Sequence, residues 1–304
     1  MSASLGAIFG PGFFGSAPVH AALAGGAIVA VVTGAVGLFT VLRSQAFAGH
    51  ALGEVGATGG AVALLAGTSP LYGYLGIAIA AGAVIELLGV QRPRARDLAT
   101  GLVLGAGLGL AALFLYLDTT ASSTTGAPVT VLFGSLFAVS QSMLPEIVVL
   151  SAVSLAIVVA CYRMLLLSSL SADLAAARGV PVRVIGVAYL VALAVAVSLA
   201  AATIGAVLAT ALVIGPPASA LRLTKRPGLA VLVASVIGIV AVWLGVLLAY
   251  DSFYWPPAGT GWPVSFFVVA DVFAFYLLSG AVARLRQSAR RQRRAREVAD
   301  VAGG

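Results

Sequence analysis

Long apolar runs, separated by short polar or charged stretches, follow one another along most of the chain. Nine of these runs have the 17 to 25 residues or so that an α-helix needs to cross a hydrocarbon layer of about 30 Å. They cover residues 19–42, 45–67, 74–90, 98–117, 146–167, 184–202, 203–221, 229–250 and 265–283. The pattern predicts an all-α, polytopic helical membrane protein with about eight to ten transmembrane helices.

Three stretches depart from this pattern. Residues 1–18 are apolar but interrupted by glycines and prolines, so we expect an interfacial segment and leave open whether it spans the membrane. Residues 129–140 form an apolar run of only about a dozen residues, which is typical of a re-entrant or interfacial segment. Gly215-Pro216-Pro217 lies inside a span, and because neither proline donates a backbone hydrogen bond, we expect the helix to break there. Broken helices line the pathway in transporters, and a packing kink is the alternative.

Basic residues concentrate in a few places between the apolar runs. Nearly all of the 17 lysines and arginines lie at Arg43, in residues 91–97, 168–183 and 222–228, and in the tail 284–296. The positive-inside rule predicts that these loops are cytoplasmic. With nine spans the N-terminus lies outside and the C-terminus in the cytoplasm, whereas a tenth span in residues 1–18 would place both ends inside. We divide the chain into an N-terminal segment (1–18), a transmembrane domain (19–283) and a basic cytoplasmic tail (284–304).

Composition narrows the function classes. The chain is 61% hydrophobic and 9% charged, whereas a soluble domain carries about 25% charged residues. The net charge of +7 does not indicate nucleic-acid binding, because nearly all basic residues lie in the loops that are predicted to be on the cytoplasmic side of the membrane. Cys161 is the single cysteine, which excludes a disulfide framework and a cysteine-based metal site. There is no P-loop motif, and Lys225 is the only lysine, so this chain is not itself the ATPase, and we expect no enzymatic activity.

The strongest candidate site lies in the second apolar run. His50 and Glu54 stand four residues apart among Ala, Gly, Leu and Val, so both side chains lie on one helix face about 5–6 Å apart. Counted from Arg43, helical rise places them about 10 and 16 Å deep, near the middle of the hydrocarbon layer. Ionisable groups at that depth usually serve a pathway or a ligand, although hydrogen bonds to neighbouring helices are the alternative. An imidazole and a carboxylate suit a divalent metal such as zinc or manganese.

Other ionisable residues are weaker candidates. Asp271 lies about 12 Å from the outer boundary of the last span and either completes the cation site or pairs with a polar neighbour. Glu86 lies near the inner boundary, where we expect it to pair with an arginine or extend to the surface. We expect Glu146, beside Pro145, to begin a helix. We expect His20 to be an incidental interfacial residue, and a role in guiding an incoming metal is the alternative.

Four sequence elements resemble the permease subunit of the ATP-binding-cassette importers for zinc and manganese. The segment from Gly49 to Val55 is similar to that family's G-D-A-L-S-H-A, with His50 at the family's Asp position and Glu54 at its His position. The carboxylate and the imidazole are thus exchanged, which leaves the metal preference open. The other three elements are Leu132–Ser140, Asp173–Val182 and Ile204–Ala218, which resemble L-F-G-x-I-L…V-S, E-L-A-x-A-x-G-L-P-V and V-G-x-L-L…A-L-L-I-x-P-A-A.

The resemblance covers about residues 19–283 and implies a homodimer of permeases in the cell membrane. It further implies an ATPase subunit that docks on residues 168–183 and an extracytoplasmic metal-binding protein that delivers the ion. A zinc or manganese ion would be cargo, held by His50 and Glu54 together with Asp271 or symmetry-related side chains, and no cofactor would be bound permanently. An ATP-independent metal carrier or channel and an ABC permease for a metal chelate are the alternatives.

Overall fold

The computed structural model describes residues 13–88, 93–121, 131–134, 136–255, 259 and 261–302, and within these ranges every regular element is a helix. The long helices are α1 (Ala17–Leu42), α2 (Ala46–Leu65), α3 (Pro70–Leu88), α4 (Pro93–Ala121), α5 (Leu144–Leu170), α7 (Val182–Ile204), α8 (Ala206–Leu223), α9 (Pro227–Ser252) and α10 (Val264–Ala302), and α6 (Ala172–Ala177) is short. Short 3₁₀ turns cover Phe13–Gly15, Leu136–Ala138 and Gln141–Met143. The fold is that of a polytopic helical membrane protein, as predicted.

Eight helices in the described ranges are long and apolar enough to cross a membrane, and α2 is not one of them. The predicted second span does form a helix, but its glycines, Thr58, His50 and Glu54 lower its hydropathy. Since 14 of its 20 residues are buried, α2 is surrounded by protein and needs no apolar surface against lipid. It packs against α3, α4, α7 and α8.

The bundle has a protein-lined centre and a lipid-facing periphery. In α1 and α7, 72% and 78% of the spanning residues are buried, whereas only 22% are buried in α5 and in α10. The outer helices expose large apolar side chains such as Leu102, Val159 and Leu277, which are 73%, 72% and 55% exposed. This distribution is expected where lipid tails, rather than water, cover the outer surface.

Of the predicted re-entrant stretch 129–140, the structure describes residues 131–134 and 136–140, and no long helix lies within these residues. Residues 131–133 are helical, Leu136–Ala138 form a 3₁₀ turn, and Val131, Leu136 and Val139 are buried. Gly134 (φ +60°) lies backbone to backbone against Gly205 (φ +93°), the residue that separates α7 from α8. Both positive φ values and this close approach require glycine. The stretch is therefore inserted into the bundle against the α7–α8 break.

The predicted helix break at Gly215-Pro216-Pro217 is wrong, because α8 runs through both prolines. Pro217 cannot donate to the carbonyl of Val213 four residues earlier. Gly37 of α1 lies directly against that carbonyl, so closely that a Cβ there would collide with it. A Cα–H contact from Gly37 can partly replace the missing donor. The actual interruption is at Gly205, ten residues earlier.

Several boundaries also differ from the predictions. Helix α4 begins at Pro93 and continues to Ala121, so most of the predicted 91–97 loop and the start of the predicted loop at Asp118 are helical. Helix α10 continues beyond residue 283 into the basic tail, as far as Ala302. Residues 168–183 comprise the end of α5, the short α6 and the start of α7, and Ser171 caps α6 by accepting a hydrogen bond from the Leu174 amide at 3.2 Å. Most of the N-terminal segment 1–18 lies outside the described residues.

Candidate metal-binding site

Helix α2 brings His50 and Glu54 to one face near its centre, as the four-residue spacing requires. Glu54 is only 7% exposed, whereas His50 is half-buried. The two side chains interact electrostatically across one helical turn. An ionisable pair inside a helix that is largely enclosed by other helices faces protein rather than lipid, which is the arrangement expected of a functional group within a membrane.

A hydrogen bond fixes the orientation of the His50 ring. Its Nδ1 lies 3.0 Å from Oγ1 of Thr210 on α8. A threonine hydroxyl both donates and accepts, so it can hold Nδ1 as the protonated nitrogen and leave the Nε2 lone pair for a metal ion. Thr210 was not predicted as a site residue. The available signal in the sequence was that it carries the one side-chain hydroxyl in the apolar run from Ala206 to Ile214.

Small residues allow α7 and α8 to approach the site closely. A Cβ on Gly53 would lie 3.1 Å from Val197 Cγ1 of α7 and 3.5 Å from the carbonyl oxygen of Ala206. Helix α8 therefore begins beside the turn of α2 that holds Glu54. The helix interruption next to the site is the one at Gly205, and not the one predicted at Pro216 and Pro217. Interrupted helices at mid-membrane commonly border a transport pathway.

Helix α3 and the inserted stretch enclose the same region. The ring of Tyr74 packs over Gly56 and Gly60 of α2, close enough that a Cβ on Gly60 would lie 2.8 Å from Cζ. Its buried hydroxyl donates a 2.7 Å hydrogen bond to the carbonyl of Val131. Tyr74 therefore ties the inserted stretch to the half of α2 that follows Glu54.

The third predicted ligand, Asp271, belongs to α10, which packs against α8 and α9. It is half-buried, and its Oδ2 is buried without a hydrogen bond. Helix α8 packs both against α2, which carries the pair, and against α10, which carries Asp271. Among the described residues, no three His, Cys, Asp or Glu side chains are grouped closely enough to share a metal ion. One protomer thus presents two neighbouring candidate ligands, and Asp271 as a ligand stays a prediction.

The remaining candidates lie elsewhere in the fold. Glu86 borders a cavity of about 920 Å³ at the end of the bundle that carries the basic loops. Glu146 lies in the first turn of α5, as predicted, and its side chain interacts with that of Tyr72. The exposed His20 is 2.7 Å from the carbonyl oxygen of Phe14 through Nε2, which gives it a local structural role.

Comparisons with known proteins agree with this architecture. The family model described as the ABC 3 transport family matches residues 17–277. The manganese transport system membrane protein MntC of Halalkalibacterium halodurans is 28% identical over 76% of this chain and 78% of its own length. The high-affinity zinc uptake system membrane protein ZnuB of Buchnera aphidicola is 26% identical over 77% of this chain and 87% of its own.

Solved structures show the same fold. A chain of PsaBC from Streptococcus pneumoniae in complex with Fab superposes with a TM-score of 0.76 and 23% identity, covering 92% of this chain and 95% of that one. A putative metal-chelate type ABC transporter in an inward-facing conformation superposes with a TM-score of 0.65 at 20% identity, covering 86% of this chain and 85% of that chain. Since the family model spans nearly all of the transmembrane helices, the chain belongs to the ABC 3 transport family.

Proposed function

We propose that this chain is the permease subunit of an ATP-driven importer for a divalent transition metal, zinc or manganese. The observation that carries the proposal is the His50–Glu54 pair on the enclosed helix α2 of an ABC 3 transport family member. Similar proteins named as manganese and zinc transport permeases support the choice of cargo. Imidazole and carboxylate are ligands that both metals accept.

In the proposed mechanism, His50 Nε2 and the Glu54 carboxylate hold the ion transiently at mid-membrane. Two side chains do not complete a coordination shell, so further ligands come from Asp271 after the helices move or from the equivalent residues of a second permease copy. Because only neutral imidazole ligates a metal, protonation of His50 weakens the site.

The proposal assigns the basic-loop end of the bundle to the cytoplasm, including the C-terminus of α10. Helix α6 is short, largely exposed and connects two long helices, so it is suited to receive a separate ATPase subunit. ATP hydrolysis then occurs on that partner, and an extracytoplasmic metal-binding protein delivers the ion to the opposite face. The permease acts as a homodimer in the cell membrane.

Uptake of metal by cells that produce His50→Ala or Glu54→Ala tests the site. Each variant should lose accumulation of the metal, because one remaining ligand cannot hold the ion, while the protein still inserts and assembles with its ATPase. His20→Ala is a matched control, since this histidine lies outside the site and should leave uptake unchanged. Normal uptake in both site variants would contradict the proposal.

A further inference from the structure

The cavity of about 920 Å³ separates helix α6 from the connection between α1 and α2. Its wall includes residues 42–45 on one side, and Ser168, Ser169 and Asp173 on the other. The first group leads directly into the helix that carries His50. The second group belongs to the end of α5 and to α6, the proposed docking point of the ATPase. The cavity therefore lies between α6 and the chain segment that leads into α2.

Arg43 bridges the cavity. Its Nη1 donates a 2.7 Å hydrogen bond to Oγ of Ser168, and that hydroxyl donates to the Leu165 carbonyl at 3.1 Å. The Arg43 guanidinium also lies 5.4 Å from the centre of the Tyr189 ring on α7. A charged, planar group that is held by a hydrogen bond and against an aromatic ring has a defined position. Arg43 thus joins the end of α1 to both α5 and α7.

The connection from Arg43 to the metal-binding helix is short and structured. Ser44 is the single residue other than glycine with a positive φ, +53°, among the residues described. The amide of Gln45 donates to the Thr40 carbonyl at 2.8 Å, and the amide of Gly49 donates to the Gln45 carbonyl at 2.9 Å. His50 follows Gln45 by five residues, which is about 7.5 Å along a helix. The connection between Arg43 and the turn that holds His50 is therefore fixed by backbone hydrogen bonds.

A second contact holds the same region of α7. The buried hydroxyls of Tyr189 and Thr40 are 2.7 Å apart, and the Tyr189 hydroxyl also donates to the Val36 carbonyl at 3.3 Å. The ring beneath Arg43 is thus attached to α1 as well. The Ser168 hydrogen bond is a direct contact between the end of α5, next to α6, and the Arg43 side chain.

We propose that Arg43 is a positioning residue that couples movement of α6 to the His50–Glu54 site through its hydrogen bond to Ser168. The inference rests on the proposed function, because it assumes that the ATPase acts on α6. When α6 moves with the ATPase, Ser168 draws Arg43 and the first turns of α2 with it, and the orientation of His50 towards the ion changes. Without the bond, ATP hydrolysis continues but drives release of the metal less efficiently.

The test measures uptake of Mn²⁺ or Zn²⁺ per ATP hydrolysed by the complete complex in proteoliposomes. Arg43→Ala, Ser168→Ala and the double variant are compared with wild type, and Arg163→Ala serves as a control because Arg163 is an exposed arginine elsewhere on α5. A hydrogen bond to a charged group accounts for at least about a tenfold effect. We therefore expect the transport ratio to fall about tenfold in each single variant while ATP hydrolysis stays within about twofold of wild type.

The double variant makes the test specific. If the two residues act through one bond, the double variant should resemble Arg43→Ala rather than show the product of two losses. The inference would be overturned if the loss in the double variant equalled the product of the two single losses, or if the ratio of uptake to ATP hydrolysis did not change. It would also be overturned if uptake and ATP hydrolysis fell together. A wild-type complex that transports neither metal would instead contradict the proposed function, so the two failures are distinguishable.

Discussion

Replacing Thr210 with valine tests whether the hydroxyl on α8 orients His50 for metal binding. Valine has nearly the same shape, so packing between α2 and α8 is retained while the 3.0 Å hydrogen bond to Nδ1 is lost. A neutral hydrogen bond contributes about 0.5–1.5 kcal/mol, and about 1.4 kcal/mol corresponds to a factor of ten in affinity. Loss of the partner that orients a ligating histidine typically costs about 10- to 100-fold in metal affinity. The upper end of the first range and the lower end of the second both correspond to a factor of about ten. We therefore expect about tenfold weaker metal binding.

The assay is the affinity of the purified permease for Mn²⁺ and Zn²⁺ at neutral pH, together with the apparent KM for uptake. Thr210→Ser keeps the hydroxyl and should bind nearly as well as wild type. Thr58→Val is a matched control on α2, because the hydrogen bond it removes, at 2.8 Å, goes to the Gly107 carbonyl and not to His50. Equal affinities in Thr210→Val and wild type would refute the reasoning, and so would an equal loss in Thr58→Val.

Two further predictions concern packing and partner binding. Gly37→Ala places a methyl group against the Val213 carbonyl, and because such overpacking costs about 1–3 kcal/mol, the variant should unfold at a lower temperature in detergent. Gly105→Ala is the control, since Gly105 has open space around it and the variant should not be destabilised. Equal melting temperatures of the two variants would contradict this account of α8. Charge reversal on the exposed residues Asp173 and Arg178 should abolish both copurification of the ATPase and metal uptake, and retained uptake without an ATPase would favour an ATP-independent carrier.

The sequence predicts helices well wherever apolar runs face lipid, because length and hydropathy are then imposed by the bilayer. It does not distinguish α2 from the outer spans, since burial among other helices depends on tertiary contacts. Its prediction at Pro216 and Pro217 failed because the carbonyl of Val213 faces Gly37 of another helix. A local rule about proline cannot include a contact that is made 176 residues away in sequence.

The part of the candidate site that lies on a single helix could be predicted from the sequence. His50 and Glu54 lie together because four residues make about one turn, which needs no knowledge of the fold. Thr210 lies 160 residues from His50, and the link from Arg43 to Ser168 spans 125 residues. These contacts depend on how the helices are arranged, so hydrophobic periodicity carries no signal for them. Asp271 is likewise placed by the packing of α10 against α8 and α9, and not by its depth.

The most direct test of the central claim is a structure of the complete complex with bound Zn²⁺, in which anomalous scattering locates the ion. The account predicts a peak within about 2.0–2.2 Å of His50 Nε2 and of a Glu54 carboxylate oxygen, and loss of that peak in His50→Ala. A metal ion bound within the membrane away from both side chains would contradict it.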